Sequence, residues 1–214
     1  MGMFSAFKDR EDAGEQLAEA LREEGVEADI VLAIPRGGLP LGRAVADALD
    51  VPLDIVVAKK IGAPGNPEYA IGAVASDGST WRNESAIQQT GSTDEYFQKQ
   101  AEKKMKEAQQ KARRYRGDKL DVTISGRSVV VVDDGVATGS TVRACLSKLQ
   151  KLDPERLILA VPVGSPRTVA ELEEIADEVI CLESPERFRA VGQAYEHFTQ
   201  VSDTDAIAYL EDTG

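Results

Sequence analysis

The chain is poor in cysteine, with only Cys145 and Cys181 in 214 residues. Their spacing fits no metal-ligand pattern and no disulfide framework, so both are expected reduced in the core. Histidine is scarcer still. His197 is the only one, and its neighbours Tyr195 and Phe198 predict packing at the core edge rather than acid–base work. Long apolar runs are missing. Nothing approaches the ~20 residues that span a bilayer, and Met1 to Arg10 lacks the apolar segment of a secretory leader. A soluble cytoplasmic protein with no membrane partner is therefore expected. Basic residues are short of acidic ones, 25 Lys+Arg against 37 Asp+Glu for a net charge of −12. That balance disfavours a nucleic-acid partner, whose footprint is basic, and is compatible with adaptation to high salt. Internal repeats, linkers and low-complexity tracts are absent too. With 42% hydrophobic residues, one domain over residues 1–214 is expected.

What is present alternates. Helical spacing covers Asp9–Glu24, with Gly25 as a stop. A short apolar run, Asp29–Ile34, reads as a strand. Leu41–Leu49 reads as a helix with Pro40 near its start, and Leu53–Ala58 as a second strand. Tyr69–Ala75 and Thr80–Asn83, joined through Asp77-Gly78, read as a hairpin. Asp94–Arg116 is a long polar helix behind Thr93. Val129–Val132, Leu157–Val161 and Val179–Leu182 are three further core strands. They are interleaved with helices at Thr141–Leu152 and, behind Ser165, at Pro166–Ala176. A last helix, Ser202–Leu210, carries Asp205 three residues after a capping serine. Strand–helix alternation with continuous apolar strands implies an α/β fold, a doubly wound, mainly parallel sheet with helices on both faces.

Such sheets bind ligands at the carboxyl ends of their strands. Pro35-Arg36-Gly37-Gly38 follows the first strand and Lys59-Lys60 the second. Asp133-Asp134 and GVATGST follow the third, and Val163-Gly164-Ser165-Pro166 the fourth. Gly135 to Thr141 offers successive backbone N–H groups at a helix N-terminus. Gly139 permits positive φ, and Thr138, Ser140 and Thr141 add hydroxyls, which together suit a phosphate monoester. Two adjacent carboxylates would repel a bare phosphate, but they suit a sugar diol or a bound Mg²⁺. The backbone of Arg36-Gly37-Gly38 and the ammonium groups of Lys59 and Lys60 are candidate donors to a second anion. VVVVDD alone would also fit the acidic strand of a nucleotide hydrolase, but the GxxxxGK[ST] loop that reading needs is absent. The basic run KARRYR, Lys111–Arg116, reads as a solvated helix end, and Trp81 as packing.

VVVVDDGVATGST (residues 129–141) resembles the signature of the type I phosphoribosyltransferases, which bind phosphoribosyl pyrophosphate (PRPP). Gly135 stands where many members carry an aliphatic residue. AIPRGGLPLG is similar to that family's pyrophosphate loop. KKIGAPGNPEYAIGAV and RAVGQAYEHFTQVSD resemble a subgroup of uncharacterised members in which Lys59 is commonly Arg. The resemblance covers nearly the whole chain. It implies a small hood (about 183–214) and a flap with helical excursion (about 60–118) on the parallel sheet. It also implies that Val136, Ala137, Thr138, Gly139, Ser140 and Thr141 hold the 5′-phosphate. Asp133 and Asp134 would meet the ribose hydroxyls and Mg²⁺, directly or through water. Arg36, Gly37 and Gly38, in a loop that often carries a non-proline cis peptide, would line the pyrophosphate, and Lys60 with Lys59 would neutralise it on leaving. Residues Gly62 to Tyr69 would form a mobile flap.

The implied reaction is displacement of pyrophosphate from ribose C1 by an unidentified small-molecule acceptor, usually a base nitrogen. Catalysis would rest mainly on positioning and electrostatics. A non-catalytic sensor of PRPP or a nucleotide is the alternative, and a homodimer is left open.

Overall fold

The computed structural model describes residues 5–117 and 122–211. The ends of the expected 1–214 domain, and residue 118 at the end of the expected excursion, lie outside the described residues. Five strands form one parallel sheet: β1 (Ile30–Ala33), β2 (Leu53–Ile55), β6 (Ser128–Val132), β7 (Arg156–Val163) and β8 (Glu178–Glu183), in the order β2-β1-β6-β7-β8. A separate antiparallel sheet joins β3 (Ala58–Ala63), β4 (Asn66–Ala75) and β5 (Thr80–Arg82).

The strands alternate side chains between two cores, as the pleat requires. Val31, Ala33, Val130, Val132, Ile158 and Ala160 face one side. There they meet α1 (Arg10–Glu23), α2 (Gly38–Leu49) and α7 (Asp203–Glu211) through residues such as Leu17, Leu21, Leu41, Val45 and Leu210. Ile30, Leu32, Val129, Val131, Leu157 and Leu159 face the other side. They pack against α5 (Ser140–Gln150) through Val142, Cys145, Leu146 and Leu149, and against α6 (Pro166–Leu172) through Leu172. Burying one such aliphatic side chain contributes ~1.5–3 kcal/mol, which explains why the strands read as unbroken apolar runs. A third core, with Ile61, Ile71, Ile87 and Phe97, lies between the antiparallel sheet, α3 (Glu84–Thr90) and α4 (Asp94–Arg116).

Helix starts obey the capping chemistry. Side chains of Asp9, Thr93 and Ser165 accept hydrogen bonds from the amides of Asp12, Tyr96 and Thr168. Ser202 Oγ accepts from the Asp205 amide while the Ser202 hydroxyl donates to the Asp205 carboxylate.

Several expectations are corrected. Leu53–Ala58 is not one strand: β2 stops at Ile55 and Ala58 opens β3 in the other sheet. The expected Gly62–Tyr69 flap lies within a β3–β4 hairpin, turning at Gly65 with φ 74°. Helix α3 was not anticipated, and α6 ends at Leu172 rather than Ala176. Cys145 is buried and Cys181 half-buried, both as free thiols. His197 is exposed rather than packed at the core edge; its neighbour Tyr195 is the ring that turns inward. No described helix is long and apolar enough to cross a membrane.

Candidate active site

The chain runs from β1 outward to β2 and later returns to the opposite side of β1 as β6. The order therefore reverses between β1 and β6, the place where doubly wound sheets open a ligand crevice. Ala33 and Val132 are register partners there, so the loops that follow each strand lie side by side. Gly37 shows how closely they meet. A Cβ on Gly37 would lie 2.0 Å from Asp134 Oδ2 and 2.5 Å from its Cγ. One on Gly38 would lie 2.6 Å from the Val132 carbonyl oxygen. Both positions require glycine for this approach, although Gly37 itself is in the ordinary right-handed region at φ −59°. The Pro35–Arg36 peptide is cis, as the resemblance implied.

The loop after β6 is turned so that its carbonyls point into the protein. The Val136 carbonyl accepts from the Ser165 amide at 3.0 Å. The Ala137 carbonyl accepts from the Thr168 hydroxyl at 2.7 Å and from the Ser165 hydroxyl at 3.3 Å. The Gly139 carbonyl accepts from the Arg143 amide at 2.8 Å. Gly139, with φ 73°, opens α5 without any side-chain cap. The expected run of amide donors is shorter than the sequence suggested, because the Val136 amide donates to the Val163 carbonyl at 2.8 Å; the amides that follow it and the Thr138 and Thr141 hydroxyls lie at the N-terminus of α5, a place that favours an anion.

Between this cradle and the Arg36-Gly37-Gly38 loop lie the carboxylates. Burial and the charge of Asp134 push the Asp133 carboxyl well above its ordinary value. Burial raises Asp134 too, and Arg10 opposes the rise. The structure separates two residues that look alike in sequence. Asp134 Oδ2 accepts from Arg10 Nε at 2.8 Å, with side chains only 14% and 11% exposed, and the Asp134 carbonyl accepts from the Tyr195 hydroxyl at 2.6 Å. Asp133 has no such cation among the described residues and accepts at 2.9 Å from the Asp134 amide. Arg10 also lies 3.9 Å from the centroid of the Phe198 ring, so the segment expected as hood is tied to the acidic pair.

On β3 the two lysines diverge, because adjacent strand residues face opposite ways. Lys60 is the more exposed and pairs with Glu68 across the hairpin at 2.7 Å. Lys59 is half-buried and close enough to Lys111 to depress its ionisation. Arg36 Nη1 reaches Asp203 Oδ1 at 3.3 Å, and Asp203 also accepts from Arg114 at 2.7 Å and from the Tyr115 hydroxyl at 2.5 Å. The Tyr115 hydrogen bond holds the Asp203 carboxyl below its ordinary value.

The structure thus brings Arg36, Gly37, Gly38, Lys59, Asp133 and Asp134 to one rim with the Val136–Thr141 loop, and sets Lys60 on the outer face of the hairpin. Sequence reasoning missed Arg10, Lys111, Tyr195 and Asp203. It also took all of Lys111–Arg116 as a solvated helix end. Instead Tyr115 is buried, Lys111 donates to the Pro35 carbonyl at 2.6 Å, and Arg116 pairs with the buried Asp54 at 2.9 Å. Only helical spacing hinted at this: Lys111, Arg114 and Tyr115 fall on one face at i, i+3 and i+4.

A doubly wound α/β protein with a glycine- and hydroxyl-rich loop at a helix N-terminus, two adjacent carboxylates and a Gly-Gly loop on one rim is the class that this fold and site define. The chain belongs to the phosphoribosyl transferase family: the "Phosphoribosyl transferase domain" pattern matches residues 3–197. "Putative phosphoribosyl transferase Rv0571c" of Mycobacterium tuberculosis is 40% identical over 205 residues, covering 96% of this chain and 46% of that protein. The chain therefore spans about half the length of this relative. The crystal structure of TT1426 from Thermus thermophilus is 42% identical and superposes with a TM-score of 0.80, over 95% of this chain and 97% of that one. A Neisseria gonorrhoeae hypothetical protein crystallised with bound ppGpp shares the fold at a TM-score of 0.52 and 15% identity, over 99% of this chain and 97% of that one.

Proposed function

We propose that the protein binds PRPP with Mg²⁺ and transfers its phosphoribosyl group to a small nitrogen acceptor, releasing pyrophosphate. The observation that carries this reading is the acidic pair lying between two anion loops, with Gly37 too close to Asp134 to admit a side chain. A ligand filling that space has a phosphate at one end, hydroxyls in the middle and a second anion at the other. In this reading the amides from Ala137 to Thr141 and the hydroxyls of the same loop hold the 5′-phosphate, while the Val136 amide is committed to the Val163 carbonyl at 2.8 Å. Asp133 and Asp134 accept from the ribose hydroxyls, and Arg36, the Gly37 and Gly38 backbone and Lys59 hold the diphosphate. Lys60 joins them if the hairpin closes and its pairing with Glu68 is exchanged.

Among the described residues, no cluster of three or more His, Cys, Asp or Glu side chains could hold a metal by itself. The donor set fits Mg²⁺ as one or two carboxylates completed by ligand oxygens and water, a usual arrangement for that ion with phosphate ligands. Asp133, which has no cationic partner like Arg10 among the described residues, is the better placed of the two. When bound, the metal supplies positive charge to the leaving diphosphate. The chain's own residues fix the ribose so that C1 is open to attack, and oppose the negative charge growing on the departing oxygens. No side chain needs to form a covalent intermediate.

The test is incubation with Mg²⁺ and PRPP across a panel of nucleobases and amines, read as pyrophosphate release. Acceptor-dependent release supports transfer. Tight PRPP binding with no release under any acceptor would replace the enzyme by a sensor.

A further inference from the structure

We propose that Lys111, on the long helix α4, is a further diphosphate-binding residue, acting with Arg36 and Lys59; this rests on the reading of the site given above. Lys111 Nζ donates to the Pro35 carbonyl at 2.6 Å, which puts the ammonium group against the loop that carries Arg36, Gly37 and Gly38. The helix is fixed in that position. Ala108 and Tyr115 are buried one turn to either side of Lys111, and Tyr115 and Arg114 both bind Asp203, which also holds Arg36.

The charges around Lys111 are unbalanced. Arg36, on the loop after β1, and Lys59, on β3, act on it as repelling cations. Asp133, on the loop after β6, and the buried Cys145, on α5, act in the opposite sense. Arg10, Arg36, Arg116 and Arg143 each have a carboxylate within ion-pair distance. Lys111 is half-buried, and its hydrogen-bond acceptor among the described residues is a neutral carbonyl. A partly desolvated ammonium group with no carboxylate in ion-pair contact among the described residues is costly, and bringing an anion to it is correspondingly favourable. Cations from three separate elements, Arg36, Lys59 and Lys111, therefore lie near one another at the Pro35–Gly38 loop. Among the described residues only Arg36 of the three is already held by a carboxylate, Asp203, and a diphosphate is the ligand group that matches them. Burial and the two cations bring the Lys111 ammonium down to about 8; the group is still mainly charged at neutral pH, and an anion beside it would hold that charge more firmly.

Calorimetric titration separates this role from a purely structural one. Inorganic pyrophosphate with Mg²⁺, and ribose 5-phosphate, are each titrated into the wild type, Lys111→Met and Lys111→Arg. Lys111→Met keeps the aliphatic stem and removes the charge. It is expected to weaken pyrophosphate about tenfold or more and leave ribose 5-phosphate within about twofold, while Lys111→Arg retains most of the pyrophosphate affinity. Unchanged pyrophosphate affinity in Lys111→Met overturns the proposal, and so do equal losses for both ligands, which would make Lys111 a prop for the loop. If Lys111→Met does not fold, Lys111→Gln answers the same comparison. A wild-type protein that binds pyrophosphate while Lys111→Met binds it equally well refutes only this inference. A wild-type protein that binds neither ligand refutes the proposed function and this inference with it.

Discussion

Replacing Gly37 by alanine tests the contact on which the site is built. The backbone at Gly37 is already right-handed, with φ −59°, so the substitution carries no conformational penalty of the left-handed kind. Its whole effect comes from the new methyl group, which would sit 2.0 Å from Asp134 Oδ2 and 2.5 Å from Cγ. Asp134 cannot swing aside freely, because Oδ2 is held by Arg10 at 2.8 Å in a largely buried pair. Either the carboxylate leaves Arg10 or the loop after β1 moves away from β6. Overpacking of this kind costs ~1–3 kcal/mol, a fall in Tm of roughly 2–12 °C for a domain of this size. Both outcomes also misplace the acidic pair relative to the second anion loop, so PRPP affinity should fall by more than tenfold. Gly25→Ala is the control. Gly25 follows α1 with φ 67°, and an added methyl group there would meet nothing within 4 Å. That variant should lose roughly 1–2 kcal/mol from backbone strain alone and bind PRPP normally. Differential scanning calorimetry and PRPP titration on both variants decide the matter. A Gly37→Ala protein with wild-type Tm and wild-type affinity would refute the close approach of the two loops.

Thr138→Ala should weaken PRPP and ribose 5-phosphate alike by roughly ten- to a hundredfold, since a hydrogen bond to a charged group contributes ~1.5–3 kcal/mol, with an unchanged thermal melt; unaltered affinity for both would remove the hydroxyl from the phosphate cradle. Lys111 gives a pH signature in stability. Its folded value of about 8 lies below the ordinary ~10.4, so between those pH values the unfolded chain binds more protons and stability rises with pH. Wild-type stability relative to Lys111→Met should therefore improve from pH 8 to 10 and stay level below pH 8; a relative decline over that range would contradict the placement of this lysine. If the net charge of −12 reflects adaptation to salt, Tm should rise between 0.1 M and 1 M salt as the Debye length shrinks from ~10 Å to ~3 Å.

Much of this architecture was legible because it rests on local rules. The runs at Ile30, Val129, Leu157 and Val179 are apolar on both faces, which a doubly covered parallel strand requires. The starts of α1, α4, α6 and α7 follow the capping residues Asp9, Thr93, Ser165 and Ser202. Strand β3 was missed because Lys59, Lys60 and Gly62 interrupt its apolar pattern, and only pairing with β4 defines it. Helix α3 has seven residues and buries only Ala86 and Ile87, too short a stripe to show periodicity. The rim loops were legible from glycine, hydroxyl and acidic residues placed after strands. Their supporting residues were not. Arg10 meets Asp134 across 124 positions, Lys111 meets Pro35 across 76, and Tyr115 meets Asp203 across 88. Contacts of that separation are made by the tertiary fold and leave no spacing to read. His197 shows the converse failure: aromatic neighbours suggested burial, but Tyr195 turns into the core while Phe198 lies over Arg10 at the surface.

The central claim is that the acidic pair is there for a ligand, and Asp133→Asn addresses it most directly. Burial and the neighbouring charge of Asp134 already raise the Asp133 carboxyl. Its ionised form is therefore a burden on the folded state above that raised value, and removing the charge at neutral pH should leave Tm unchanged or higher. Asp134→Asn is a different case, because it loosens the buried pair with Arg10 and should lower stability as well. The measurement is calorimetric titration of PRPP in the presence of Mg²⁺ on wild type and Asp133→Asn, with a thermal melt of each. The expected result is wild-type binding, a loss of about tenfold or more in Asp133→Asn, and a melting temperature no lower than that of the wild type. An Asp133→Asn protein that melts early yet binds PRPP as the wild type does would make this carboxylate structural and contradict the account.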